Sequence, residues 1–292
     1  MKILITGGDG FIARNLCEQM HNNHAVTAPN KSKLDLLDSV KVFEYIKNNP
    51  FDVVIHAATY DAAPINSTKD PGKVLEYNLS MFFNLARCHN YFGKMIYFGS
   101  GAEFGRPFWQ PRMNENYFDQ HIPADPYGLS KYIMTQHAQR SRNIYNLRLF
   151  GVFGKYDDWR YRFIPNACSK AALGLPITFK QNKIFDFLYV DDLVKIVQWF
   201  VGHDPKQHVY NVCSGQSYEF KALAQKVLKA ASKNLDIIVK TEGRGTEYSG
   251  DNTLLLNEIK GFKFSAIDDS IQHLYRWYDA NKQLIKKEEF HY

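Results

Sequence analysis

Cysteine is scarce. Cys17, Cys88, Cys168 and Cys213 are the only four in 292 residues, and they lie too far apart for a disulfide framework or a metal-ligand cluster. A reducing, cytoplasmic compartment is therefore expected. No run approaches the ~20 apolar residues of a membrane span, so no membrane partner is expected. Met1 leads straight into a strand, so no signal peptide is expected. The ten histidines show neither HExxH nor paired ligand spacing, so no metal is expected. Internal repeats and low-complexity segments are absent. So are basic clusters, apart from Lys286-Lys287. The net charge of +6 then suits small anionic ligands better than nucleic acid, and no nucleic-acid partner is expected.

What remains is an ordinary globular composition, 45% hydrophobic, on a chain long enough for one large α/β unit or one unit with a smaller lobe. Lys2–Thr6 reads as a strand, Ala13–Asn22 as a helix and His24–Ala28 as a second strand. A helix over Val40–Asn48 stops at Asn49-Pro50. Asp52–Ala57 is a β-branched run of the kind buried in parallel sheets. A helix near Val74–Tyr91, a strand at Lys94–Phe98, a helix over Tyr127–Ser141 and a strand at Ile144–Leu149 continue the alternation. This pattern predicts a doubly wound, mostly parallel sheet. From about Gly154 the chain breaks into shorter, aromatic-rich pieces. Val190–Val201 reads as a helix returning to the sheet, and Tyr218–Ala231 and Asp268–Leu284 as helices of a second lobe. Trp159, Tyr161 and Phe163 read as lobe core or dimer packing in preference to a stacking surface. Asp157-Asp158 and Asp191-Asp192 are carboxylate pairs; the second precedes an apolar helix and reads as its cap.

Gly7, Gly10 and Ala13 follow the first strand with the spacing G-x-x-G-x-x-A. The first permits a turn closed to residues with a Cβ, the second lets a pyrophosphate approach the backbone, and the third lets the helix pack closely. The helix N-terminus then offers N–H groups to phosphate. After the second strand, Asn30-Lys31-Ser32-Lys33 carries no acid for a ribose 2′-OH. Two lysines and hydroxyl or amide donors stand there instead, which suits a 2′-phosphate and predicts NADP, with NAD the alternative. Asp35 comes too late for the ribose and is expected nearer the adenine.

Tyr127 and Lys131, at i and i+4, share a helix face. A nearby ammonium favours phenolate, so Lys131 is expected to lower the phenol pKa and ready it for proton exchange. Ser100 ends a strand where parallel sheets form their ligand crevice, with its hydroxyl available to a reacting carbonyl oxygen.

With TGGDGFIA at the start, HAA around Ala57 and Ala58, YNLSMFFNL with Asn78, FGSGAEFG, YGLSK, RLFGVFG and FDFLYVDD in order, the chain resembles the extended short-chain dehydrogenase/reductase family over about residues 1–215. The resemblance implies a Rossmann-type doubly wound parallel sheet over 1–153, with 186–212 returning to it. It implies a smaller α/β C-terminal substrate lobe from 154–185 and 213–292. Ser100, Tyr127 and Lys131 are then the catalytic set. Cofactor contacts are implied for Gly7, Asp9, Gly10, Phe11 and Ile12, for Asn30, Lys31, Ser32, Asp35 and Leu36, and for Ala57, Ala58, Asn78, Tyr127 and Lys131. The usual substrate is a nucleotide sugar. Homodimers packing the helices at Val74–Tyr91 and Tyr127–Ser141 are common in the family.

Leu34-Asp35-Leu36-Leu37-Asp38 after a basic loop is similar to GDP-fucose synthase-like, NADPH-dependent 4-keto-sugar reductases. Where related dehydratases carry Asp-Glu, this chain has Gly101 and Ala102; where the epimerising synthases carry cysteine and histidine, it has Ala102 and Arg162. Reduction without dehydration or double epimerisation is the reading. Phe185 and Glu247 stand at or near positions of diphosphate-binding arginines. Arg160, Arg162, Lys183 and Arg244 are the candidates to replace them, beside Ser100, Gly101 and Ala102 at the substrate. An NAD-dependent 4-epimerase and a non-catalytic dinucleotide sensor are the rival readings.

Overall fold

A computed structural model of the chain describes residues 1–61 and 67–290. It begins with β1 (Lys2–Thr6), α1 (Phe11–Met20), β2 (Ala25–Thr27), α2 (Ser39–Asn48) and β3 (Phe51–His56). Then follow α3 (Val74–Ala86), β4 (Phe92–Ser100), α4 (Pro126–Arg140), β5 (Ile144–Leu149) and β6 (Gly151–Phe153). Next come α5 (Phe163–Ala172), β7 (Ile177–Tyr189), α6 (Val190–Gly202), β8 (Val209–Val212) and β9 (Ser217–Glu219). The chain closes with α7 (Phe220–Ala231), β10 (Ile237–Tyr248), α8 (Thr253–Glu258) and α9 (Ile267–Ala280).

Six parallel strands form the main sheet in the order β2-β1-β3-β4-β5-β8. The order reverses at β1: β2 lies on one side and β3 on the other, so a crevice opens beyond the carboxyl ends of β1 and β3. Both faces are covered, which explains the unbroken Ile3-Leu4-Ile5 and Val53-Val54-Ile55 runs. Ile3, Ile5 and Val53 pack with Leu16 of α1 and Leu193 and Val197 of α6. Leu4 and Val54 pack with Val42 of α2, Phe82 of α3 and Met134 of α4.

A second sheet runs β10-β7-β6, with β9 antiparallel to β7. Residues 151–153 and 186–189 pair here, while α6 and β8 rejoin the first sheet. Leu255 and Ile259, at and just beyond α8, also pack in the first core. A separate core joins Phe153, Ile177 and Phe179 to α5, α7 and α9 through Ile164, Leu223 and Leu274. The long β7 and β10 replace the short pieces expected beyond Gly154. At α6 the N-cap is Tyr189, and the expected capping by Asp191-Asp192 is corrected: both lie in the first turn, where they suit the helix dipole. Asp192 accepts from the Ser265 N–H at 2.7 Å and hydroxyl at 2.9 Å, which ties down the segment leading into α9.

Candidate functional site

At the crevice lies a cavity of about 920 Å³, of a size that holds a cofactor or substrate. Its floor is the turn after β1. Gly7 has φ +71°, and a Cβ there would meet the Ala58 Cα at 2.8 Å, so both conformation and space demand glycine. Gly10 is the N-cap of α1, extended at φ −81° and ψ 161°, and has no side chain to cap the helix. Ala13 is fully buried beneath it. Asp9, Phe11 and Ile12 share the wall with both glycines. A bare helix N-terminus with no acid in its first turn fits a pyrophosphate.

Asn30, Lys31, Asp35 and Leu36 form the wall beyond β2. Lys31 is largely exposed and lies 3.7 Å from the Asp35 carboxylate. Ser32 is outside the wall; its hydroxyl donates to Asn30 Oδ1 at 2.8 Å. Asp35 Oδ1 is taken locally by the Leu37 N–H at 3.0 Å. Ala57 and Ala58 line the next side, where the Ala58 N–H donates to Thr6 Oγ1 at 3.3 Å.

Asn78 is not in the wall. Its buried amide donates to the Tyr60 and Val74 carbonyl oxygens at 2.8 and 2.9 Å and accepts from the Tyr60 N–H at 2.8 Å. That side chain holds the loop after β3 from behind, instead of reaching the cavity.

Tyr127 opens α4 and lines the cavity. The Asp125 carboxylate caps the helix by accepting from the Gly128 N–H at 2.9 Å, and Pro126 fits its first turn. Ser100 ends β4, half-buried, and its hydroxyl lies near enough to the phenols of Tyr127 and Tyr248 to favour their ionised forms. Lys131 is buried, donates to the Phe98 carbonyl oxygen at 2.9 Å, and lies 5.7 Å from the Tyr127 ring centre. Of the three, only Tyr127 lines the cavity; Ser100 and Lys131 are outside its wall, each beside the tyrosine.

Burial pushes the Tyr127 phenol up to about 12, with Asp61 adding to it and Arg162, Ser100 and Arg106 opposing. This corrects the expectation that Lys131 lowers it. The ammonium lies against the ring and serves a main-chain oxygen, and desolvation dominates. Burial likewise pushes Lys131 down to about 8, against the pull of Glu103 and Asp61. Behind them, burial and then Lys131 push His56 down to about 3, and its neutral ring pairs with Thr6 Oγ1 at 2.9 Å.

Gly101 and Ala102 are buried outside the cavity wall. A Cβ on Gly101 would sit 2.7 Å from the Tyr248 hydroxyl, so that phenol occupies the space a larger residue would need. Arg160 and Arg162 line the cavity. Arg160 is clamped by both oxygens of Asp158, at 2.7 and 2.5 Å. At Arg162 burial opposes the charge, but Asp157, Tyr161 and Asp61 outweigh it and hold the guanidinium firmly charged. Lys183 and Arg244 are outside the wall, on β7 and β10; Lys183 crosses over Gly245, and Arg244 pairs with Glu219. Phe185 lies among Phe187, Phe220 and Tyr248, with ring centres 5.0–5.8 Å apart. Glu247 accepts from the Ser217 and Ser249 hydroxyls at 3.1 and 2.6 Å.

Three site neighbours escaped the sequence reading. Asp61 lies in a polar loop that announces nothing. Tyr248 arrives from a distant strand. Glu103 had a visible signal, the S-x-x-E spacing of a capping box. Of the aromatic trio, Trp159 packs on Phe290 and Phe163 stacks on Phe220 at 3.9 Å, as core residues do, whereas Tyr161 lines the cavity. No group of three or more metal-ligating side chains occurs among the described residues. Nor is any described helix long and apolar enough to cross a membrane.

Residues 3–213 match the NAD dependent epimerase/dehydratase family. The GDP-L-colitose synthase of Yersinia pseudotuberculosis is 23% identical over 254 residues, covering 78% of this chain and 82% of that protein. The GDP-6-deoxy-D-mannose reductase of Pseudomonas aeruginosa is 23% identical over 255 residues, covering 81% and 82%. The fold is shared with a GDP-L-fucose synthetase from Naegleria fowleri bound to NADP, at a TM-score of 0.86 and 16% identity over 98% of this chain and 95% of that one.

Proposed function

We propose that this chain, which belongs to the NAD dependent epimerase/dehydratase family, uses NADPH to reduce the C4 keto group of a nucleotide-linked 4-keto-6-deoxy sugar. The observation that carries this is the placing of the Tyr127 phenol in the wall of a cavity floored by a glycine turn, with Ser100 and Lys131 beside it. A phenol pushed up to about 12 is a weaker acid than a free one, but it keeps its proton at neutral pH and still outranks the far more basic alkoxide that would receive it.

A bound dinucleotide would supply the hydride. The bare N-terminus of α1 and the Gly7–Gly10 turn would hold its pyrophosphate, and Asn30 and Lys31 would receive the 2′-phosphate. Ser100 orients the carbonyl oxygen with its hydroxyl, Tyr127 protonates that oxygen, and Lys131 binds the nicotinamide ribose. Arg160 and Arg162 are the cations of the wall available to the sugar diphosphate. The region around β6, β7 and β10 forms the substrate lobe, and the enzyme works in the cytoplasm as a homodimer through α3 and α4.

The 4-epimerase alternative needs Tyr127 to accept a proton before it returns one, whereas reduction needs only the donor. A dinucleotide sensor has no use for a proton donor beside Ser100 and Lys131. Incubating the protein with a panel of 4-keto sugar nucleotides and NADPH, and following loss of NADPH absorbance, tests the proposal. Turnover of at least one such substrate is expected. Tightly bound NAD in the purified protein, with interconversion of C4 epimers and no net reduction, would overturn it.

A further inference from the structure

Behind Ser100 lies an ion pair buried on both sides. Glu103 and Arg148 are each 0% exposed, with Arg148 Nε donating to Glu103 Oε2 at 2.7 Å. Such a pair is a poor device for stability, because two charges must leave water and a well-packed apolar pair does as well. Its connections point elsewhere. Glu103 Oε1 accepts from the Ser100 main-chain N–H at 2.9 Å, while Ser100 Oγ accepts from the Ala102 N–H at 3.2 Å, closing a capping box. Asn146 donates to both Glu103 oxygens at 3.3 Å, and its Oδ1 accepts from the Gly99 N–H at 2.9 Å. The same amide donates at 2.7 Å to Thr135 on α4, the helix that carries Tyr127 and Lys131. Gly99 has no Cβ, and one there would collide with Glu103 and Asn146. The end of β4 and the second half of α4 are thus laced together through Glu103 and Asn146.

We propose that Glu103 is a positioning residue of the reduction: it fixes Ser100 through the main chain and sets a buried negative charge near the Lys131 ammonium. This rests on the reading of Ser100, Tyr127 and Lys131 as the reductive machinery. Arg148 holds Glu103 in place. Its Nη1 donates to Asn211 Oδ1 at 3.0 Å, and its guanidinium lies over the rings of Phe104 and Phe118. The charged or titratable groups around Lys131 are Tyr127 on its own helix, His56 at the end of β3, Asp61 in the loop after it, and Glu103 beyond β4. His56 is neutral, so Glu103 and Asp61 alone oppose the desolvation that drives Lys131 toward its uncharged form.

The test is the Glu103→Gln/Arg148→Met double variant, which leaves no buried charge unpaired, with Glu103→Gln alone as the second variant. The side-chain amide keeps an acceptor for the Ser100 N–H and removes only the charge. Titration of the lysine ε-carbons by ¹³C NMR, with the Lys131 signal assigned by its loss in Lys131→Met, needs neither substrate nor cofactor. The Lys131 midpoint should fall by about one pH unit, and turnover of a 4-keto sugar nucleotide by about tenfold at neutral pH, with folded near-ultraviolet dichroism retained. A folded variant with unchanged Lys131 titration and unchanged turnover would overturn the proposal. Loss of the fold in both variants would also overturn it, assigning the pair to stability. A wild-type protein that reduces no 4-keto sugar nucleotide would instead defeat the proposed function, while the titration would still stand.

Discussion

The Lys131 ammonium lies 5.7 Å from the centre of the Tyr127 ring, yet its hydrogen bond goes to the Phe98 carbonyl oxygen at 2.9 Å. The lysine is thereby tied to the end of β4, and the phenol is left to Ser100. The two residues share a helix face without sharing a proton, which separates their contributions experimentally.

Tyr127→Phe removes the acid and keeps the ring. General acid catalysis contributes about 10²–10⁴-fold, so turnover should fall by that order while NADPH affinity stays near wild type. Thermal midpoint and turnover measured on one sample separate this from simple loss of a buried hydroxyl, which would lower stability and spare the rate. Near-normal turnover in a folded variant would remove Tyr127 from the mechanism.

Lys131 gives the pH dependence. Burial brings it down to about 8, so the ammonium is present below that pH and is lost as pH rises through it. NADPH affinity should decline above about pH 8, and Lys131→Met should weaken binding at neutral pH and flatten this limb. Fluorescence titration of NADPH at several pH values is the check, and a limb that survives in Lys131→Met would belong to another group.

Lys31 reports on cofactor choice. Its partner is Asp35 at 3.7 Å, and the lysine side chain is 77% exposed. A surface pair of that kind is worth about 0–1 kcal/mol, so a phosphate displaces it readily. A charge-assisted contact is worth about 1.5–3 kcal/mol, and Lys31→Ala should weaken NADPH by roughly tenfold or more with little change for NADH. Equal effects on both cofactors, or a wild-type preference for NADH, would contradict the assignment.

Gly101, Ala102 and Arg162 supply no carboxylate, thiol or imidazole. A 4-keto sugar nucleotide held with the protein in D₂O, without reductant, should therefore keep its ring C3 and C5 protons by NMR. Deuterium uptake at either carbon would expose an acid/base pair elsewhere in the cavity.

The parts most legible in the sequence were those where geometry follows from local spacing. Gly7, Gly10 and Ala13 mark a turn only because the backbone there must bend and be approached, and a four-residue interval places Tyr127 and Lys131 together on any helix. The second sheet was harder to see. β7 runs through Lys180-Gln181-Asn182-Lys183 in mid-strand, and β10 carries Lys240, Glu242 and Arg244 along an edge, where charge discourages further pairing. Asn78 was read as a cofactor residue because type and order do not reveal which neighbour a buried amide will satisfy. Tyr248 was invisible for a different reason: its ring reaches Gly101 only after β10 is laid beside β7.

The uncapped start of α1 has one more consequence. A helix that begins on Gly10, with no serine, threonine or aspartate to receive its leading N–H groups, leaves that task to whatever binds there. On the proposed reading, the dinucleotide would complete the first turn of the helix. Resistance to heat should rise with cofactor concentration, by about 2.7 kcal/mol at a hundredfold excess over Kd. The pyrophosphate is common to both dinucleotides, so this reinforcement depends on the part of the ligand that does not distinguish them. On the proposed reading, the choice between them would fall to the loop beyond β2, where it could drift without endangering the fold.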